Sequence, residues 1–173
     1  MSLSRRHLAI AAASLTAAAG AAWLLMDGGE KSSPSPAPQI GYTLLDGQPR
    51  HTRELLGQVV LVNFWATSCS SCVREMPELV ATYLQYRTQG FQTLAVAMAY
   101  DPPAAVADFA ESRQLPFPVV IDNTGAIARS FGPVTLTPTT FLITKHGLIV
   151  KRYLGAPDFV ALRLLIEQLL VEV

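Results

Sequence analysis

Only two of the 173 residues are cysteine. A scaffold stapled by several disulfides needs more, so that class is excluded. Histidine is scarce too: there are three, His7, His51 and His146, well separated in the chain. Charge is sparse and balanced, with 13 Lys+Arg against 13 Asp+Glu and 15% of residues charged. No basic patch stands out, which argues against a nucleic-acid partner. No internal repeat is visible.

What the chain does have is one long apolar run. Arg5 and Arg6 precede an uncharged, Ala- and Leu-rich stretch over residues 8–26. As a helix it would be about 28 Å long, against a hydrocarbon core of ~30 Å. Residues 1–26 therefore read as a signal anchor or signal peptide. Asp27, Glu30 and Lys31 follow without a basic excess, so the two arginines stay cytoplasmic and the rest lies outside. Ala17-Ala18-Ala19 and Gly20-Ala21-Ala22 are small-residue cleavage sites. Trp23-Leu24-Leu25-Met26 continues the apolar run past both, which favours an uncleaved anchor in the inner membrane over a cleaved soluble form. Ser4-Arg5-Arg6-His7-Leu8 also has a twin-arginine look, but Ala9 and Ile10 do not complete that pattern. Residues 27–38 are rich in Gly, Ser and Pro and read as a flexible tether. The folded domain is expected over residues 39–173.

Within it, residues 42–45 and the following Asp46-Gly47 suggest a small hairpin, and Gly57 ends a short helix begun near Thr52. Val59–Trp65 and Phe91–Ala97 are continuous apolar runs and read as buried central strands. Between them, residues 70–88 have helical spacing through Val73, Met76, Leu79, Val80, Tyr83 and Leu84, with Pro77 as a kink. Pro102-Pro103 opens a second helix carrying Val106, Phe109 and Ala110. A short strand over 117–121, a turn and a short helix follow. Thr139–Ile143 and Leu148–Leu154 form a hairpin around Lys145-His146-Gly147, and Phe159–Val171 is a closing amphipathic helix. This order implies an α/β domain with helices on both faces of the sheet.

Cys69-Ser70-Ser71-Cys72 falls where a buried strand gives way to a helix. A thiol at a helix N-terminus meets unpaired N–H groups and the positive end of the macrodipole, which favour the thiolate. Cys72 lies one turn on, close enough to close a disulfide. Cys69 is then the nucleophile and Cys72 the resolving thiol. Two other readings stand beside this one. A metal site wants four ligands, and the cysteine pair supplies two. His7 is in the membrane flank, while His51 and His146 sit in turns. Two unreactive core cysteines are the third reading, against which Ser70-Ser71 at a helix start speaks.

The run Val62-Asn63-Phe64-Trp65-Ala66-Thr67-Ser68-Cys69-Ser70-Ser71-Cys72-Val73-Arg74-Glu75-Met76-Pro77-Glu78-Leu79 resembles the active-site block of the TlpA/ResA-like branch of the thioredoxin superfamily. Pro138-Thr139-Thr140-Phe141-Leu142-Ile143 resembles its second signature block. The likeness covers Ile40 to the C-terminus. It implies a thioredoxin-like fold: a mixed central sheet, helices on both faces and an N-terminal hairpin extension. It also implies roles. Trp65 packs beside the active site, Pro77 kinks the helix, and Pro138 is a cis-proline facing the disulfide. The backbone of Thr137 then pairs with an extended substrate segment.

The departures are specific. Ser68 stands where the branch often has Trp, and Ser70 and Ser71 fill places where a proline is common. Asn63 takes the position of the buried acid of cytoplasmic thioredoxins. Asp101 reads either as a substitute acid or as the N-cap before Pro102-Pro103. The resemblance implies a disulfide reductase fed by a DsbD-type membrane donor. Its substrates would be protein thiols and disulfides, as in cytochrome c or copper-site maturation. It needs no cofactor beyond the redox-active cysteine pair, and no oligomer signal argues against a monomer. An oxidase or isomerase on the same fold is the alternative, as is a non-catalytic copper-binding assembly factor. A peroxidase of peroxiredoxin type is dismissed, because Ala66 and Val62 stand where it needs Thr and Pro.

Overall fold

The computed structural model describes residues 34–172. The anchor expected over residues 1–26, His7, and the tether up to Ser33 lie outside them. Among the described residues no helix is long and apolar enough to cross a membrane.

The centre of the fold is strand β4. The described residues form eight strands: β1 (Ser35–Pro36), β2 (Gly41–Thr43), β3 (Pro49–His51), β4 (Val59–Trp65), β5 (Phe91–Ala97), β6 (Val119–Ile121), β7 (Thr139–Ile143) and β8 (Leu148–Leu154). Among the described residues four α-helices join them: α1 (Ser70–Tyr86), α2 (Pro103–Ser112), α3 (Ala126–Ser130) and α4 (Phe159–Val171). The sequence of β4 is apolar except for Asn63, and all its residues are buried. Burial on both faces is what a continuous apolar run requires. The main sheet runs β1-β8-β7-β4-β5-β6, with β4, β5 and β6 parallel and β7 antiparallel to β4. It is a mixed thioredoxin-like sheet, as expected. The N-terminal hairpin β2–β3 forms its own two-stranded sheet, and a Leu44–Val120 bridge ties it to the β6 edge.

Side chains alternate across β4, so one face serves each core. Leu61 and Trp65 pack with Cys72, Met76 and Leu79 of α1, Val106 of α2 and Leu162 and Ile166 of α4. Val62 and Phe64 pack on the other side with Tyr42 of β2 and Ile127 of α3. Leu79 is fully buried at the centre of the first core. Leu79→Ala is expected to lower unfolding free energy by about 2–5 kcal/mol, read from a urea midpoint.

Three local expectations change. Ser35 and Pro36, inside the segment read as a tether, pair with Ile149 and Leu148 of β8. Proline lacks an N–H and suits such an edge position. The strand expected from residue 117 starts at Val119. The buried stripe of α1 is also rotated from the apolar pattern. It carries Cys72, Glu75, Met76, Leu79, Thr82 and Tyr86, while Leu84 is exposed.

Candidate active site

At the end of β4 the chain turns tightly, with the Cys69 N–H donating to the Ala66 carbonyl at 3.1 Å. Cys69 is the N-cap of α1, and its sulfur accepts the Cys72 N–H at 3.2 Å. The two residues form a disulfide with Cα atoms 5.3 Å apart. Cys72 is fully buried and Cys69 half-buried, so the sulfur open to a partner is that of Cys69. Helix start and capping N–H both favour a thiolate there.

Of the two serines between the cysteines, Ser70 is exposed and Ser71 half-buried. The Ser71 hydroxyl lies 3.3 Å from the Cys69 sulfur. In the reduced protein that hydroxyl can donate to the thiolate. A hydrogen bond to a charged group contributes about 1.5–3 kcal/mol, or roughly 30–60 mV for a two-electron couple. Ser71→Ala is therefore expected to raise the Cys69 thiol pKa and make the couple about 30–60 mV more reducing. Equilibration against glutathione measures it.

Below the pair lies an acid that the sequence reading did not single out. Glu75 is 4% exposed and sits three residues beyond Cys72 on the inward face of α1. Residues so spaced on a helix are neighbours. Its Oε1 accepts from Asn63 Nδ2 at 2.9 Å, and the same amide donates to Thr140 Oγ1 at 2.9 Å. Burial pushes the carboxyl up to about 7, opposed by the Asn63 hydrogen bond. Glu75 Oε2 has no hydrogen-bond partner among the described residues. The signal was present in the sequence: position 75 adjoins Met76 and precedes Leu79 by one turn.

Trp65 is fully buried, packs against Phe109 with ring centroids 5.1 Å apart and planes tilted by 49°, and belongs to the cluster that packs Cys72. The Thr137-Pro138 peptide is cis. Thr139 pairs with Phe64, so this bond lies at the end of the sheet where β4 hands over to the cysteine turn. Pro138 is buried and Thr137 half-buried. The Pro138 carbonyl accepts from the Gly155 N–H at 2.8 Å. Among the described residues, Thr137 makes no backbone–backbone hydrogen bond.

Asp101 is buried, and its two oxygens accept from the Thr67 N–H and hydroxyl, both at 2.6 Å. It does not cap α2. That cap is Pro102, with no side-chain bond, because the Asp101 carboxylate is turned onto Thr67. His51 Nδ1 accepts from the Arg53 N–H at 3.1 Å and caps the turn Thr52–Leu55. His146 lies in the β7–β8 turn. Among the described residues, no three His, Cys, Asp or Glu side chains gather as a metal site.

The Redoxin family model matches residues 32–160. The thiol-disulfide oxidoreductase ResA of Halalkalibacterium halodurans is 40% identical over 111 residues, 64% of this chain and 62% of that protein. The chain thus spans just under two thirds of that relative. ResA of Geobacillus thermodenitrificans is 39% identical over 121 residues, covering 70% of this chain and 68% of that protein. A thioredoxin-family thiol:disulfide interchange protein from Chlorobium tepidum superimposes with a TM-score of 0.73 at 26% identity, covering 80% of this chain and 98% of that one. A half-buried cysteine above a buried one at a helix start, a cis-proline at the same end of the sheet and these relatives agree. The chain belongs to the Redoxin family and, within it, to the TlpA/ResA-like thiol-disulfide oxidoreductases.

Proposed function

We propose that this protein reduces protein disulfides outside the cytoplasm, held at the inner membrane by residues 8–26 and tethered by residues 27–34, which lead into β1. The observation that carries the exchange chemistry is the accessible Cys69 sulfur above buried Cys72 and Glu75. The Cys69 thiolate attacks one sulfur of a substrate disulfide and the other substrate sulfur leaves as a thiolate. A mixed disulfide joins Cys69 to the substrate. Glu75 accepts the Cys72 proton through its unpartnered Oε2. The Cys72 thiolate then attacks the Cys69 sulfur and the second substrate thiolate departs. Two electrons have passed to the substrate, and Cys69–Cys72 is a disulfide again. The Thr137 backbone edge beside Pro138 receives the substrate as an added strand.

Returning the pair to the dithiol takes an electron source, and the family likeness points to a DsbD-type membrane donor. It also points to cytochrome c or copper-site maturation as the setting, with the protein acting as a monomer. The test of direction is the reduction potential. A value below about −200 mV supports the reductase; a value near about −120 mV overturns it in favour of an oxidase. One observation favours that second reading: the Ser71 hydroxyl beside Cys69, which stabilises the reduced form.

A further inference from the structure

The segment after β5 reaches both loops of the site. The Met98 N–H donates to the Trp65 carbonyl and the Asp101 N–H to the Met98 carbonyl, both at 2.9 Å, which closes a tight turn. From that turn two adjacent side chains point to different loops. Asp101 accepts the two 2.6 Å hydrogen bonds of Thr67. Tyr100 places its hydroxyl 3.2 Å from the Thr137 hydroxyl.

We propose that Tyr100 and Asp101 form a positioning bracket for disulfide exchange. Asp101 holds the turn that carries Cys69, and Tyr100 holds the edge at Thr137 on which a protein substrate lies. The inference rests on the exchange chemistry given above.

The Asp101 arm is argued from burial. A carboxylate that is 2% exposed has lost its water, and among the described residues it makes no salt bridge. Such a charge persists only where hydrogen bonds replace solvent. Both of its partners belong to Thr67, the residue after Ala66, whose carbonyl accepts the Cys69 N–H. Fixing Thr67 therefore fixes the start of α1, where the Cys69 sulfur must meet the Cys72 N–H. Exchange between sulfurs is sensitive to such placement.

The Tyr100 arm is argued from exposure. Tyr100 is 61% exposed although its hydroxyl is engaged, and Leu136, next to Thr137, is 60% exposed. Two large side chains thus stand in solvent beside Thr137, whose backbone makes no backbone–backbone hydrogen bond among the described residues. The substrate that fits is an extended protein segment with an apolar side chain near its cysteine. A small disulfide does not reach the ring.

Single-turnover reduction of insulin and of a small aromatic disulfide by the full-length dithiol protein separates the arms. Tyr100→Ser is expected to raise the insulin concentration that gives half-maximal single-turnover rate, with little change in the maximal rate. It should depress the second-order rate constant for insulin roughly fivefold more than that for the small disulfide. Asp101→Asn is expected to slow both disulfides about tenfold and to shift the potential of the pair. Thr67→Ser, which keeps both donors, should match the unchanged protein. Equal effects of Tyr100→Ser on the two disulfides overturn the Tyr100 arm. An Asp101→Asn protein altered only in its unfolding midpoint overturns the Asp101 arm. If the unchanged dithiol reduces neither disulfide, the reading beneath both arms falls.

Discussion

Cys69→Ser is expected to abolish insulin-disulfide reduction, and Cys72→Ala to leave the protein covalently joined to its substrates. The two outcomes differ because the two sulfurs differ in access. Cys69 is half-buried at the cap of α1 and Cys72 is fully buried one turn below. An alcohol at position 69 cannot form the mixed disulfide, so no later step begins. Alanine at position 72 leaves the Cys69 attack intact and removes the thiol that resolves it. Non-reducing electrophoresis of cell extracts should show bands that collapse on reduction, and mass spectrometry of those bands names the partners. Full insulin reduction by Cys69→Ser would refute the mechanism. An absence of trapped species with Cys72→Ala would refute the order of the two thiols.

Glu75→Gln has the second largest effect. The carboxyl is raised to about 7 by burial, so near neutral pH it can take the Cys72 proton and later release it. Glutamine keeps the shape and can still meet Asn63, but it cannot accept that proton. Steady-state turnover is expected to fall about 10²–10³-fold, and the inflection of kcat near pH 7 should vanish. The first attack by Cys69 should be nearly unchanged, so mixed disulfide accumulates. Stability moves the other way. The folded protein holds a proton on Glu75 that the unfolded chain releases above the ordinary value of 4.5. Stability from this group is complete below that value and declines as pH rises through about 7, by about 3 kcal/mol in all. Glu75→Gln should remove the decline. Urea midpoints at pH 5 and pH 8 check it: the variant gains on the unchanged protein at pH 8 and loses that advantage at pH 5.

Legibility in the sequence follows the range of the forces involved. β4, β5, β7, β8 and α4 fall where apolar runs and turn residues place them. Their burial is set by patterns a few residues long. β1 was invisible because two residues make no pattern; they pair only because β8 presents an edge to them. The redox pair was readable from four residues at a strand-to-helix junction. Its acid was not. Glu75 is buried because Asn63, twelve positions back, and Thr140, far ahead in the chain, provide a polar seat on the adjoining strands. Asp101 belongs to the same class: its place before two prolines suggested a cap, and Thr67, far back in the chain, took its carboxylate instead.

By itself, then, the sequence determined the α/β class and the cysteine pair, which rest on short-range spacing and apolar periodicity, and the family likeness, which rests on two signature blocks. Tertiary structure decided which polar groups lose their water. That choice depends on neighbours brought together across the sheet, and desolvation is what raises the Glu75 carboxyl to about 7.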